Sequence, residues 1–165
     1  MSKLTDRLEK VGQPSIVPLG FGSGAKKITI NPSLLVIGQG SVANLVMKRV
    51  SSDKNFDAFI LELNSWSKTA VEKVAKALIN QVWGVRIPSI TEDQTEILKT
   101  LGGDFLVLDI GDTSAKVLND EEIGTLISLG PDVDENTARG IQDLPLDGVI
   151  SESHKDLFPI TIRSL

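Results

Sequence analysis

The chain has 165 residues, a one-domain length, and its 41% apolar and 24% charged residues exclude disordered and collagen-like proteins. With no Cys, one His and no Tyr, disulfides, thiolate nucleophiles, Cys-bound zinc, iron–sulfur clusters and His-rich metal sites are out, which leaves carboxylate, amine, guanidinium, hydroxyl and backbone chemistry. The net charge of −5 is uneven, +6 over residues 1–90 and −11 over residues 91–165, and its overall sign argues against nucleic acid as a partner.

In chain order, the opening MSKLTDRLEK puts charges around a few apolar residues and lacks the apolar core of a secretory signal. No apolar run approaches the length of a membrane span. Together with the missing cysteines this reads as a cytoplasmic protein without a membrane partner. The whole chain reads as one domain: an N-terminal helix and Gly-rich leader over 1–33, βα units over 34–151, and a C-terminal segment over 152–165 that stops within an apolar stretch, as a truncated unit would. The leader's Gly20, Gly22 and Gly24 precede Lys26 and Lys27, but the G-x-x-x-x-G-K-[ST] spacing of a phosphate loop is missing.

Apolar runs rich in Val, Ile, Leu and Phe recur at 34–38, 56–63, 82–87, 104–110, 124–130 and 146–151. Most are too continuous for a strand with one wet face and read as buried parallel strands. Helix patterns separate several of them. Residues 67–80 put Ala70, Val71, Val74, Ala75 and Leu78 on one face. Thr91 and Gln94 have capping-box spacing ahead of Ile97, Leu98 and Leu101, and Gly102 stands where that helix stops. Asp132 and Glu135 offer an acidic N-cap for Ala138, Ile141 and Leu144, with Pro145 as terminator. Residues 111–123 read as a loop with one turn.

Strand and helix in alternation make an α/β protein. The successive segments 104–109, 124–130 and Leu146-Asp147-Gly148-Val149-Ile150-Ser151 resemble strands of TIM-barrel proteins. That resemblance, at fold level over residues 34–151, implies an incomplete (βα) barrel of about six parallel strands, with a ligand site at the strand C-termini. The alternative is a Rossmann-like open doubly wound sheet. An incomplete barrel exposes a strand edge, so self-association, as a dimer shielding the opening, is expected.

Alternation along the strands aligns Ala58, Ile60 and Glu62, then Val82, Gly84 and Arg86, then Phe105, Val107 and Asp109. Each set ends in a charge, so an inward orientation would gather Glu62, Arg86 and Asp109 at the barrel mouth. A functional reading makes Arg86 the contact for an anionic group and Glu62 or Asp109 the proton acceptor; the same energetics suit a space-filling interior ion pair. The sequence assigns no reaction.

Two shorter patterns compete. Gly38, Gly40 and Ala43, with Ser41 between them, follow a strand and open an apparent helix through Val50, and Glu62 lies 24 residues after Gly38. The pattern resembles the dinucleotide fingerprint, which implies a phosphate site at Gly38, Gly40 and Ser41 and NAD(P) as cofactor. A plain tight βα turn is the preferred reading, with no cofactor. Residues 106–116, LVLDIGDTSAK, resemble the phosphate hairpin of actin-like ATPases, with Asp109, Gly111, Thr113 and Lys116 in the motif's places, although the βα pattern preceding it departs from that family. Asp109, Asp112, Asp132, Asp134 and Glu135 offer oxygen ligands for Mg²⁺ but read first as a solvated acidic rim without a metal. His154 reads as a surface residue, Trp66 as packing over a helix, and Trp83 as core. The expected function is binding of a small anionic or phosphorylated ligand at the strand C-termini, with a non-catalytic self-associating scaffold or a nucleotide-binding domain as alternatives.

Overall fold

A computed structural model of the chain describes residues 2–13, 31–46, 56–109, 116–130 and 133–151. Among these, six strands form one curled sheet flanked by helices: β1 (Ile37–Gly40), β2 (Ala58–Glu62), β3 (Trp83–Ile87), β4 (Phe105–Asp109), β5 (Gly124–Leu129) and β6 (Gly148–Ser151). Spatial order follows sequence order, and every neighbouring pair is parallel. The order has no reversal beside β1. Because parallel crossovers are right-handed, sequential order sends every connection to the same face of the sheet.

The helices are α1 (Lys3–Lys10), α2 (Val42–Leu45), α3 (Lys68–Ala77), α4 (Glu92–Thr100) and α5 (Glu135–Gln142), with a 3₁₀ turn at Val117–Asn119. Local chemistry sets their starts. Ser67 caps α3 by accepting from Ala70 N–H. Thr91 and Gln94 form the capping box read from the sequence, with Gln94 N–H donating to Thr91 Oγ1 at 3.4 Å and Thr91 N–H donating to Gln94 Oε1 at 3.1 Å. The cap of α5 differs from expectation: it is Asp134, whose carboxylate accepts from Thr137 N–H at 2.8 Å, and not Asp132 or Glu135. Glu135 instead sits inside the first turn and reaches Arg139 at 2.7 Å.

Strand alternation separates two cores. On the helix side, Phe59, Leu61, Val85, Ile87, Leu106 and Leu108 pack against Leu45 of α2, Val71 and Val74 of α3, and Leu98 of α4. Trp83 belongs to this core at 2% exposure, and Trp66 packs against its rim. On the opposite, concave side, Ala58, Ile60, Val82, Phe105, Val107 and Leu126 cluster with Leu4 of α1. Gly84 is obligatory there, since a Cβ would sit 2.3 Å from the Phe105 carbonyl oxygen and 2.5 Å from its ring.

An aspartate anchors α1 across the sheet. Asp104, the residue before β4, accepts from Ser2 Oγ at 2.7 Å, from Lys3 N–H at 2.9 Å and from Leu4 N–H at 2.9 Å. A carboxylate at a helix N-terminus satisfies amides that have no intrahelical partner and complements the helix dipole. The anchor holds Leu4 in the lower half of the concavity, where burying its side chain contributes about 2 kcal/mol.

The edges are less covered. At the β1 side Leu34 and Val36 are 64% and 41% exposed, and pairing with β2 begins at Ile37, so the strand runs over Ile37–Gly40 and not over 34–38. At the β6 side α5 buries no residue, Leu144 is exposed and Val149 is 51% exposed. The buried stripe expected of Ala138, Ile141 and Leu144 is therefore not formed among the described residues. The 3₁₀ turn supplies the single turn expected between β4 and β5. The leader's Gly20, Gly22, Gly24, Lys26 and Lys27, Asp112, Asp132, His154 and the segment 152–165 lie outside the described residues.

Candidate functional site

Glu62, Arg86 and Asp109 end the concave-face sets of β2, β3 and β4, so the structure brings all three to one end of one face. Glu62 and Arg86 are register partners. Arg86 is level with Val107, one side-chain repeat below Asp109, and its guanidinium crosses that step to meet Asp109 Oδ1 at 3.1 Å. A glutamine joins the row: Gln39 of β1 is level with Ile60, and its Nε2 donates to Glu62 Oε1 at 2.6 Å. On the other flank Ser128 of β5, 5% exposed, is the register partner of Asp109. Five consecutive strands thus contribute Gln39, Glu62, Arg86, Asp109 and Ser128 to one polar row at the sheet's C-terminal end.

Below that row the face is apolar, so the polar groups at its rim are the ones a ligand could meet. The Arg86 and Asp109 side chains are 24% and 41% exposed, and Glu62 is exposed. An ion pair this wet contributes only about 0–1 kcal/mol to stability. The charged members sum to −1, with Arg86 flanked by two carboxylates. Such an arrangement suits a ligand that brings an anionic group to the guanidinium and hydroxyl or amine donors to the carboxylates.

The fingerprint glycines have a packing explanation. Gly38 faces the helix side opposite Phe59, and a Cβ on it would lie 3.0 Å from the Phe59 ring and 3.2 Å from Phe56. Those two rings sit 5.3 Å apart. Gly40 is buried against Asn44 and Leu45. Ser41 is the N-cap of α2, a single turn, and its side chain makes no capping hydrogen bond. Of the ATPase-like stretch, Asp109 pairs with Arg86, and Lys116 meets Glu92 at 3.4 Å; residues 110–115 lie outside the described residues.

A second polar cluster lies away from the row. Lys99 of α4 meets Glu96 at 2.6 Å, Asp120 at 2.7 Å and Glu122 at 3.2 Å. The hydrogen bonds to Asp120 and Glu96 hold its ammonium above the ordinary lysine range, against the opposing effect of burial. Burial pushes the Asp120 carboxyl up, but the Lys99 and Glu122 N–H hydrogen bonds outweigh it and leave it below the ordinary range. Beside this cluster is an acidic groove of about 450 Å³ lined by Glu92, Asp93, Glu96, Lys116 and Asp120. A second groove, of about 320 Å³, lies at the N-terminal end of the sheet. Neither includes Glu62, Arg86 or Asp109. Among the described residues no group of three or more His, Asp or Glu side chains is placed to hold a metal ion, and no helix is long and apolar enough to cross a membrane.

Sequence reasoning missed Gln39 and Ser128. The available signal was the alternation itself, since both share the parity of the concave-facing residues on their strands. It also missed Asp104, whose partners lie about 100 positions earlier in the chain. No family model matches the chain, and no curated protein sequence matches it.

Proposed function

We propose that the chain is a TIM-barrel-like half-barrel that binds a small anionic, hydroxyl- or amine-bearing ligand at the C-terminal ends of its strands. The observation that carries this reading is the row of Gln39, Glu62, Arg86 and Asp109 on one concave rim. Arg86 contacts the anionic group, phosphate or carboxylate. Glu62 and Asp109 accept hydrogen bonds from the ligand's donors, and either is the base if a proton is moved. The sequential strand order favours the barrel relation over a doubly wound sheet with a dinucleotide crevice, which needs a reversal of strand order. Strand C-termini are the ligand-binding end of barrels of this type. The missing cysteines and the acidic second half favour a cytoplasmic setting and a small-molecule partner over nucleic acid.

Arg86→Met tests this reading, because the partly exposed ion pair is too weak for its loss to unfold the protein. Calorimetric titration with inorganic phosphate and glycerol 3-phosphate should show saturable binding to the wild type, tighter for the hydroxylated ester, and none to Arg86→Met at unchanged circular dichroism. Equal binding by the variant, or loss of its fold, would favour the space-filling role of the pair.

A second reading, a self-associating module, is favoured by the exposed Val149 on edge strand β6 and by Leu34 and Val36 beside edge strand β1. Sedimentation equilibrium tests it: a dimer that Val149→Lys dissociates supports this reading, and a monomer across the concentration range rejects it.

A further inference from the structure

We propose that two copies of the chain join head to tail, β6 of each beside β1 of the other, and close into a ring whose two polar rims open on one mouth. The proposal rests on the self-associating reading and specifies the geometry that reading leaves open. β1 and β6 are the two ends of the sheet, each paired with one neighbour among the described residues. An end strand offers backbone N–H and C=O groups to any strand that can lie beside it. Three pairings of two copies are available. β1 against β1 and β6 against β6 are isologous, and a two-fold axis makes both antiparallel. β6 against β1 is heterologous and parallel, so it repeats the pairing found throughout the sheet and continues its sequential order.

Charge on the helix layer decides among the three. At the β1 end α2 is a single uncharged turn packed against α3, and α3 exposes Lys68, Lys73 and Lys76 while its one acid, Glu72, is partly covered. At the β6 end, α5 and the residues on either side of it expose Asp134, Glu135, Asp143 and Asp147 against Arg139 alone. The two halves of the sequence have the same polarity, +6 over residues 1–90 and −11 over residues 91–165. An isologous junction brings like charges together, whereas β6 against β1 brings the acidic end to the basic one.

The exposed apolar side chains fall at the same two ends. Val149 is level with Ile127, which is level with Leu108 of the helix-side core, so it faces the helix layer, yet it stays half-exposed because α5 buries no residue. Leu144 is exposed just after α5. At the other end Leu34 and Val36 precede β1, and Val46 closes α2, all three exposed. A head-to-tail junction lays both sets along one seam. Because the sheet is curled, a second copy can meet both ends of the first, which leaves neither copy with an open edge. Every junction is then parallel, so the strand C-termini of both copies share one end, and both rows of Gln39, Glu62, Arg86 and Asp109 line the same mouth. An antiparallel isologous junction would put the two rows at opposite ends.

The experiment is sedimentation equilibrium of the wild type, Val36→Glu, Val149→Lys and an equimolar mixture of the two variants. Both positions are exposed, so each variant should keep the wild-type circular dichroism. The wild type should be a dimer. Each variant alone should be monomeric, since one spoiled end disables both junctions of a head-to-tail pair. The mixture should recover a one-to-one pair, because one junction is unaltered and the other brings introduced charges of opposite sign to the same seam. Between about 0.1 M and 1 M NaCl, where the screening length falls from about 10 Å to about 3 Å, the wild-type dissociation constant should rise about tenfold. Either variant remaining a dimer by itself, a mixture that stays monomeric, or association that tightens in salt would overturn the head-to-tail assignment and leave self-association standing. A mass that keeps growing with concentration would overturn closure, and a monomeric wild type would overturn both readings.

Discussion

Thr125→Val tests what an enclosed, unpartnered hydroxyl costs the fold. The Thr125 side chain is fully enclosed, and its hydroxyl has no partner among the described residues, whereas its backbone N–H is satisfied by Asp147 at 2.6 Å. Valine has nearly the same shape, so the exchange opens no cavity and leaves the backbone bond intact. Leaving a buried hydroxyl unsatisfied costs about 1–3 kcal/mol. Removing that cost and adding one buried methyl should stabilise the chain by about 1 kcal/mol, since the unfolded state loses the hydration of the same hydroxyl. For a chain of this length that corresponds to a rise in Tm of about 2–4 °C. Urea denaturation followed by circular dichroism, with the slope held common to both proteins, measures it directly. A destabilisation of about 1 kcal/mol or more would refute the reasoning and show that the hydroxyl is bonded to an internal water.

Other perturbations follow from the same geometry. Gly84→Ala should cost about 2 kcal/mol or more in urea denaturation, because its Cβ meets backbone as well as the Phe105 ring; a near-neutral result would mean that β3 and β4 separate easily. Asp104→Ala should release α1, with amide exchange over Lys3–Lys10 accelerating at least tenfold while β2–β4 stay protected; uniform acceleration would contradict a local role. Lys99→Met removes the cation from three carboxylates. Asp120 has a lowered folded-state pKa, so its contribution is present above the usual carboxylate pKa of 3.8 and is lost as pH falls through the lower folded value. The stability gap between wild type and Lys99→Met, from denaturation at several pH values, should therefore be full at pH 7 and close below about pH 4. A gap independent of pH would point to lost packing by the lysine stem.

The strands and the shared face were legible because their signals are local and repeat. Continuous runs such as Trp83–Ile87 and Phe105–Asp109 belong to the sheet centre, where both faces are covered, and alternation alone placed Glu62, Arg86 and Asp109 on one side. Legibility fell toward the edges. Leu34 and Val36, just before edge strand β1, and Leu144, just after α5, are apolar but exposed, since the sheet's ends are covered on one flank only and composition does not report which flank is open. The α5 cap moved to Asp134 because several acidic residues crowd that turn, and backbone geometry chooses among them. Gln39 was hidden because a glutamine between two glycines reads as a turn, while its role depends on the stagger between β1 and β2. Asp104 could not be read at all, as nothing near it in the chain names a helix a hundred positions away as its partner.

That last link bears on how the polypeptide acquires its shape. Each strand lies beside the one made just before it, so the sheet can lengthen step by step as the chain leaves the ribosome. The Ser2–Asp104 closure spans 102 positions, so the first helix gains its carboxylate anchor only once residue 104 has been made, although Ala58, Ile60 and Val82 offer Leu4 apolar neighbours earlier. Fixing of that helix is therefore a late step, which experiments on nascent chains stalled before and after residue 104 would resolve.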